Sequence, residues 1–182
     1  MAQQATLRGG EVDFVSSLSA KLSGAARGAR GIQANSTVTG VYHPVMLQAN
    51  LAPFDNPKVR EAFRYILDRK ALMASTLFGQ GKLGNDVTLP PGNPYLTALP
   101  QNEQDLDRAR RPISEAGVGS LTLNFWCSSE RPPTPKVALA MKESAAKIGI
   151  TVNVRDIPYT EYVASVARKT LHRQLLRQPD AL

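Results

Sequence analysis

The side chains best suited to nucleophilic or metal chemistry are His43, His172, Cys127 and the serine pairs Ser16–Ser17 and Ser128–Ser129. A metal site needs three or four ligands that converge, and neither histidine is spaced to join a cysteine or carboxylate cluster. Nucleophilic catalysis needs a base beside the nucleophile. No histidine is placed by sequence to serve Cys127, and no serine sits in the strand-turn-helix context of a nucleophile elbow. The glycine-rich run SGAARGARG, residues 23 to 31, lacks the Lys-Ser/Thr pair of a phosphate-cradling loop. Cys127 falls on the apolar side of an alternating segment, where a thiol acts as a small buried hydrophobe. Trp126 falls on the opposite side, either as a stacking platform for a ligand or as packing under a second layer. The residue chemistry predicts a binding protein rather than an enzyme, with neither metal nor cofactor.

The elements that would carry such a site are easier to read. In APFDNPKVREAFRYILDRKAL, residues 52 to 72, Asn56 can cap a helix and Pro57 suits its first position, where a backbone N–H would go unused. Val59, Ala62, Phe63, Ile66 and Leu67 then recur along one stripe, with Arg60, Glu61, Arg64 and Asp68 on the other side. Arg64 and Asp68 are one turn apart, and Asp68 can cap a second short helix through Leu77, stopped by Gly79 and Gly81. A proline-bearing loop spans 82 to 104, longer than a compact domain usually carries without a use. Asp105 can cap the next helix, which ends at Gly117, and Pro112 inside it predicts a kink or an early end.

Leu121, Leu123, Phe125 and Cys127 alternate with polar residues and Trp126, as in a strand. A helix opened by Thr134 and Pro135 follows, with Val137, Met141, Ser144, Ala145 and Ile148 on one face. ITVNVRDI, 150 to 157, alternates again. Strand, helix and strand in that order predict a parallel βαβ unit with Leu121, Leu123, Phe125, Val152 and Val154 in the core. Thr160 can cap a last helix. Earlier in the chain, GEVDFV reads as a short strand and 36 to 50 as extended chain broken at Pro44. The fold class is α/β.

With 182 residues, 42% of them apolar, the chain is long enough for a real core. Its net charge of +7 is uneven: residues 168 to 182 hold Arg168, Lys169, Arg173 and Arg177 against Asp180 alone. No basic stripe with interleaved aromatics appears, so nucleic acid is not an expected partner of the body of the chain. The single cysteine excludes an internal disulfide. No segment approaches the apolar length of a membrane span, and the first residues lack the pattern of a secretory signal.

NLAPFDNPKVREAFRYILDRKAL resembles the signature of the family 5 extracellular solute-binding proteins, which serve ABC importers of dipeptides and oligopeptides. Its carriers are Asn50, Pro53, Phe54, Asp55, Val59, Arg60, Ala62, Asp68 and Arg69. GGEVDF at 9 to 14, PPGNPY at 90 to 95 and DLDRARRPISEAG at 105 to 117 match further family segments in the same order, followed by the βαβ run. Pro112 stands where a leucine is usual, and the motif resemblance stops near Val166. The resemblance implies a type II periplasmic-binding-protein-like fold, mostly one lobe with parallel strands and crossover helices, truncated relative to family members about three times as long. It implies a remnant of the first lobe and hinge approach at 1–45, a second-lobe segment at 46–166 and a divergent basic tail at 167–182. The implied partners are a peptide or other small solute and, in the intact family, ABC permease subunits, in a periplasmic or extracellular setting. The family's acidic partner for a peptide amino terminus lies past the last residue, so no ligand residue is assigned. Tyr42, His43 and Asn50, near the expected hinge, are the positions to inspect first. A second reading, from a different class, is a basic cytoplasmic chain that engages nucleic acid or another anionic surface through its arginine-rich end.

Overall fold

A computed structural model describes residues 2–16, 18–36, 41, 43–89 and 93–167. In chain order the elements are α1 (Ala2–Arg8), α2 (Ala20–Ala26), α3 (Pro57–Ile66), α4 (Arg69–Leu77), α5 (Leu106–Ala116), β1 (Leu121–Cys127), α6 (Thr134–Ala146), β2 (Ile150–Asp156) and α7 (Tyr159–Ala167). The predicted tail, 168 to 182, lies outside the described residues, as does Tyr42.

The helix starts follow from local chemistry. Asn56, Asp68 and Asp105 each hold a non-helical backbone and accept a hydrogen bond from a free first-turn N–H, at 2.9, 2.8 and 2.8 Å. Pro57 occupies the start of α3, as its missing N–H permits. Gly117 ends α5 in the left-handed conformation, φ 63°, which a side chain would make costly. In α4 the same role falls to Phe78, φ 51°, ahead of the predicted Gly79.

Helices α3 and α5 lie side by side and antiparallel. Lys58, at the start of α3, pairs with Glu115 at the end of α5 (2.7 Å). At the other end, Tyr65 gives its carbonyl to the Asp105 N–H (2.9 Å), and its ring lies 4.2 Å under the Arg108 guanidinium. Gln104 donates to the Ile66 carbonyl, so late carbonyls of α3 are satisfied by the residues that open α5. Val59, Ala62, Phe63 and Ile66 are buried as the stripe predicts, and Tyr65 joins them. Leu67 is only half-buried, because α3 has ended at Ile66. Pro112 does not shorten α5, which runs on to Ala116, and Pro112 itself is buried.

Strands β1 and β2 pair in parallel, Leu121 opposite Ile150 through Cys127 opposite Asp156, with α6 as the crossover. Leu123, Met141, Ala145, Ile148, Ile150 and Val152 form one core with the α3 stripe and Ala109. Leu121 and Phe125 pack against this core but stay partly exposed, and Val154 is not among its members. Cys127, the last residue of β1, is buried, whereas β2 becomes exposed toward Asp156, so enclosure falls off along β2 rather than at the end of β1.

Two further expectations change. GEVDFV forms no strand: residues 9 to 16 are turns and bends after α1, most of them exposed. The last helix begins at Tyr159, before Thr160, and its first N–H is met by the Glu130 carboxylate (3.4 Å) rather than by a threonine cap. GEVDFV has strand-like composition, but a strand needs a neighbour, and none is supplied to it among the described residues.

Candidate functional site

In an open sheet of parallel strands, ligands settle outside the carboxyl ends, where the following loops and helix starts converge. Here that place lies after Cys127 and Asp156. The Ile157 N–H donates to the Cys127 carbonyl (3.0 Å), carrying the pairing one step past the strands. The Ser129 N–H donates to Asp156 (2.8 Å), and the Tyr159 N–H to Glu130, so two loop carboxylates are spent on backbone donors. Thr134, in the first turn of α6, donates to the Ser128 carbonyl (2.8 Å) and accepts from the Ser128 N–H (3.3 Å). These bonds fix the segment Ser128–Thr134 against the strand ends.

The side chain this arrangement presents is Arg131. Its guanidinium lies 4.0 Å over the Tyr159 ring, and Tyr159 stacks in turn on Tyr162, with centroids 6.3 Å apart and ring planes 16° apart. Arg131 is exposed, and among the described residues no carboxylate lies within 4 Å of it. An arginine stacked on an aromatic face is pre-oriented and retains in-plane N–H donors, the geometry that takes a carboxylate through two parallel hydrogen bonds. Burial, with Tyr159 beside it, pushes the Tyr162 hydroxyl above its ordinary value, so that ring stays neutral. Ser128, just past β1, is 3% exposed, and among the described residues neither its hydroxyl nor the indole N–H of Trp126, two residues earlier, has a hydrogen-bond partner.

Ser128 has no hydrogen-bonded base. Cys127 is buried, and burial, then the charge of Asp156, pushes its thiol pKa up, away from the reactive thiolate. No group of three or more His, Cys, Asp or Glu side chains among the described residues could hold a metal ion, and no helix among them is long and apolar enough to cross a membrane.

Of the positions singled out by sequence, His43 and Asn50 are exposed and make no hydrogen bond among the described residues. Trp126 is half-buried rather than displayed as a platform. Arg131 and Tyr159 were not singled out, although one signal was there: both follow a strand of a βαβ unit on its carboxyl side. A second polar cluster was also missed. Asp86, itself left-handed at φ 58°, accepts from Arg69 (2.8 and 2.9 Å), Asn102 (2.9 Å) and Arg64 (3.4 Å). Arg64 therefore pairs with Asp86, not with Asp68, whose carboxylate caps α4. Shallow grooves run beside this cluster along the 82–104 loop, but its charges are matched internally, Lys70 to Glu103 and Arg69 to Asp86.

Fold and geometry together describe part of an α/β lobe with a parallel βαβ unit. The chain belongs to the bacterial extracellular solute-binding proteins, family 5: the family's "Middle" model matches residues 1–176, ten residues past the point where the motif resemblance stops. It is 25% identical over 166 residues to the glutathione-binding protein GsiB of Escherichia coli O1:K1, covering 91% of this chain and 32% of that protein. To GsiB of Salmonella choleraesuis it is 29% identical over 126 residues, 69% of this chain and 24% of that one. The peptide-binding DppA of Helicobacter pylori, solved with the peptide STSA, superposes with a TM-score of 0.58 at 26% identity over 65% of this chain and 23% of its own. A putative peptide-binding AppA from Clostridium difficile superposes with a TM-score of 0.72 at 21% identity over 90% of this chain and 34% of its own, a likeness of fold. The fold is that of type II periplasmic binding proteins, and the chain spans between about a quarter and a third of the length of these relatives.

Proposed function

We propose that this chain is the substrate-binding component of an ABC-type importer for peptides or related solutes, working in the periplasm or outside the cell with permease subunits as partners. Residues 46–166 are a segment of one lobe, and residues 1–45 are a remnant of the other lobe and the hinge approach. Arg131, presented on Tyr159 at the strand ends without a carboxylate of its own, is the observation that carries the reading. It receives the carboxylate of the solute, and peptides and glutathione, itself a tripeptide, both carry one. The chain is not an enzyme.

One wall of a cleft does not make a receptor. Affinity in a two-lobed site comes from desolvation by both walls and from partners for both ends of the ligand. Loss of one buried charged partner costs on the order of 2–5 kcal/mol, roughly thirty- to several-thousand-fold. The 182-residue chain alone should therefore bind weakly. Titrating it with a di- to pentapeptide mixture and with glutathione, followed by NMR, should shift Arg131, Ser128 and Tyr159 with saturation in the millimolar range. The shifts should vanish in Arg131→Ala and with carboxy-amidated peptides. Micromolar calorimetric affinity would show a complete site within these residues, and shifts indifferent to amidation would remove Arg131 from the site.

A further inference from the structure

Arg131 and Tyr159 sit on segments that leave different strands, so the segments must be held together before the ring can lie under the guanidinium. Three hydrogen bonds join them. The Ile157 N–H reaches the Cys127 carbonyl (3.0 Å), the Ser129 N–H reaches Asp156 (2.8 Å), and the Tyr159 N–H reaches Glu130 (3.4 Å). The first runs from backbone to backbone and depends on no side chain. The last is long, and its acceptor belongs to an exposed residue. Asp156 makes the short side-chain bond. The Ser129 it holds is two residues before Arg131, and Asp156 itself is three before Tyr159. Among the described residues its carboxylate forms no ion pair.

We infer that Asp156 is a positioning residue for the carboxylate site: it fixes the segment that carries Arg131 against the one that carries Tyr159, and so keeps the guanidinium over the ring. The inference rests on the reading of Arg131 as the partner of the solute's carboxylate. It commits to a sign. Asp156 is an acid bonded close in the chain to a cation that receives an anion. By charge alone, its removal would tighten carboxylate binding, though weakly, because an exposed charge is screened. By position, its removal frees Ser129 and lets Arg131 leave the Tyr159 face. Binding then weakens, because the guanidinium must be ordered anew for each solute. The two effects oppose each other, so substitution at this one position separates them. Asparagine drops the charge but keeps an acceptor oxygen for the Ser129 N–H, and alanine drops both.

In the unliganded 182-residue chain, the Tyr159 ring should shift the Arg131 side-chain protons upfield in NMR spectra. Asp156→Asn should keep that shift and Asp156→Ala should lose it. Titrated with the dipeptide alanylalanine, Asp156→Ala should bind roughly threefold or more weakly than the parent, the scale of one lost hydrogen bond. Asp156→Asn should bind no more weakly than the parent. Should Asp156→Ala fold poorly, the unmodified chain still decides. Exchange of its Ser129 N–H should slow once the dipeptide is bound, because a bond that supports binding is supported by it in return. An Arg131 shift that persists in Asp156→Ala would overturn the positioning role. So would tighter binding by that variant, equal behaviour of the two variants, or Ser129 exchange indifferent to bound dipeptide. A parent that binds alanylalanine and its carboxy-amide equally, or neither, would overturn instead the assignment of the carboxylate to Arg131. The upfield shift in the unliganded variants then decides the role of Asp156 by itself.

Discussion

At the scale of single residues, Asp86 organises more of the molecule than any site predicted from spacing. Its carboxylate collects Arg64, Arg69 and Asn102, while Arg69 also donates to the carbonyls of Arg64 and Gly84. Both ends of the 82–104 loop are thereby held to the α3–α4 corner. Hydrogen bonds to a charged acceptor contribute about 1.5–3 kcal/mol in favourable cases, and partial exposure lowers that here. Asp86→Ala should cost about 1–2 kcal/mol in urea unfolding, and Asp86→Asn less, since asparagine tolerates φ 58° and keeps one acceptor. No change on Asp86→Ala would mean the cluster is ornamental. Glu115 sets a pH effect. The hydrogen bond from Lys58, then that from Arg111, lowers its pKa from 4.5 to about 2. A depressed carboxylate contributes stability above its unfolded pKa and loses it as pH falls through the folded value, here between about 4.5 and 2. All three groups are well exposed, so the contribution is small and salt-sensitive. Glu115→Gln should flatten the acid limb of the stability profile slightly at low salt and leave it unchanged at high salt.

At the scale of elements, the βαβ unit and the α3–α5 pair share one core, and burial ranks their residues. Ile66 is fully buried at the end of the α3 stripe, so Ile66→Ala should cost about 2–5 kcal/mol. Phe125 was expected in the core but is only partly covered, near the end of β1, so Phe125→Ala should cost clearly less than the 3–5 kcal/mol of a buried phenylalanine. Chemical denaturation of both variants checks the order; a larger loss at Phe125 would mean that the end of β1 is enclosed by more than the described residues. Arg131 and Tyr159 emerge past the carboxyl ends of β1 and β2, beyond the buried Cys127 and Ser128.

At the scale of the whole molecule, one link between the first segment and the rest runs through Gln80. Gln80, just past α4, donates to the Ala20 carbonyl (2.8 Å) and accepts from the Ser23 hydroxyl (3.3 Å), so its side chain ties α2 to the end of α4. Gln80→Ala should speed hydrogen exchange in 20–26 while leaving β1, α6 and β2 protected. Loss of protection throughout would mean that residues 1–45 belong to the same cooperative unit as the second-lobe segment, against the division proposed here.

What the sequence determined by itself is what short-range chemistry decides. Asn56, Asp68 and Asp105 cap helices because their acceptors lie within a few residues of the N–H groups they serve. The stripe from Val59 to Ile66 and the alternation from Leu121 to Cys127 mark buried faces by periodicity alone, and the motif order named the family. What only the tertiary structure decided depends on partners distant in the chain. GEVDFV has strand composition but no neighbour, Arg64 chose Asp86 across 22 residues over Asp68 one turn away, and Arg131 met Tyr159 only once β1 and β2 had paired. Periodicity records which side of an element faces inward. It does not record which other element arrives there, and an ion pair or an arginine stacked on a tyrosine is defined by that arrival.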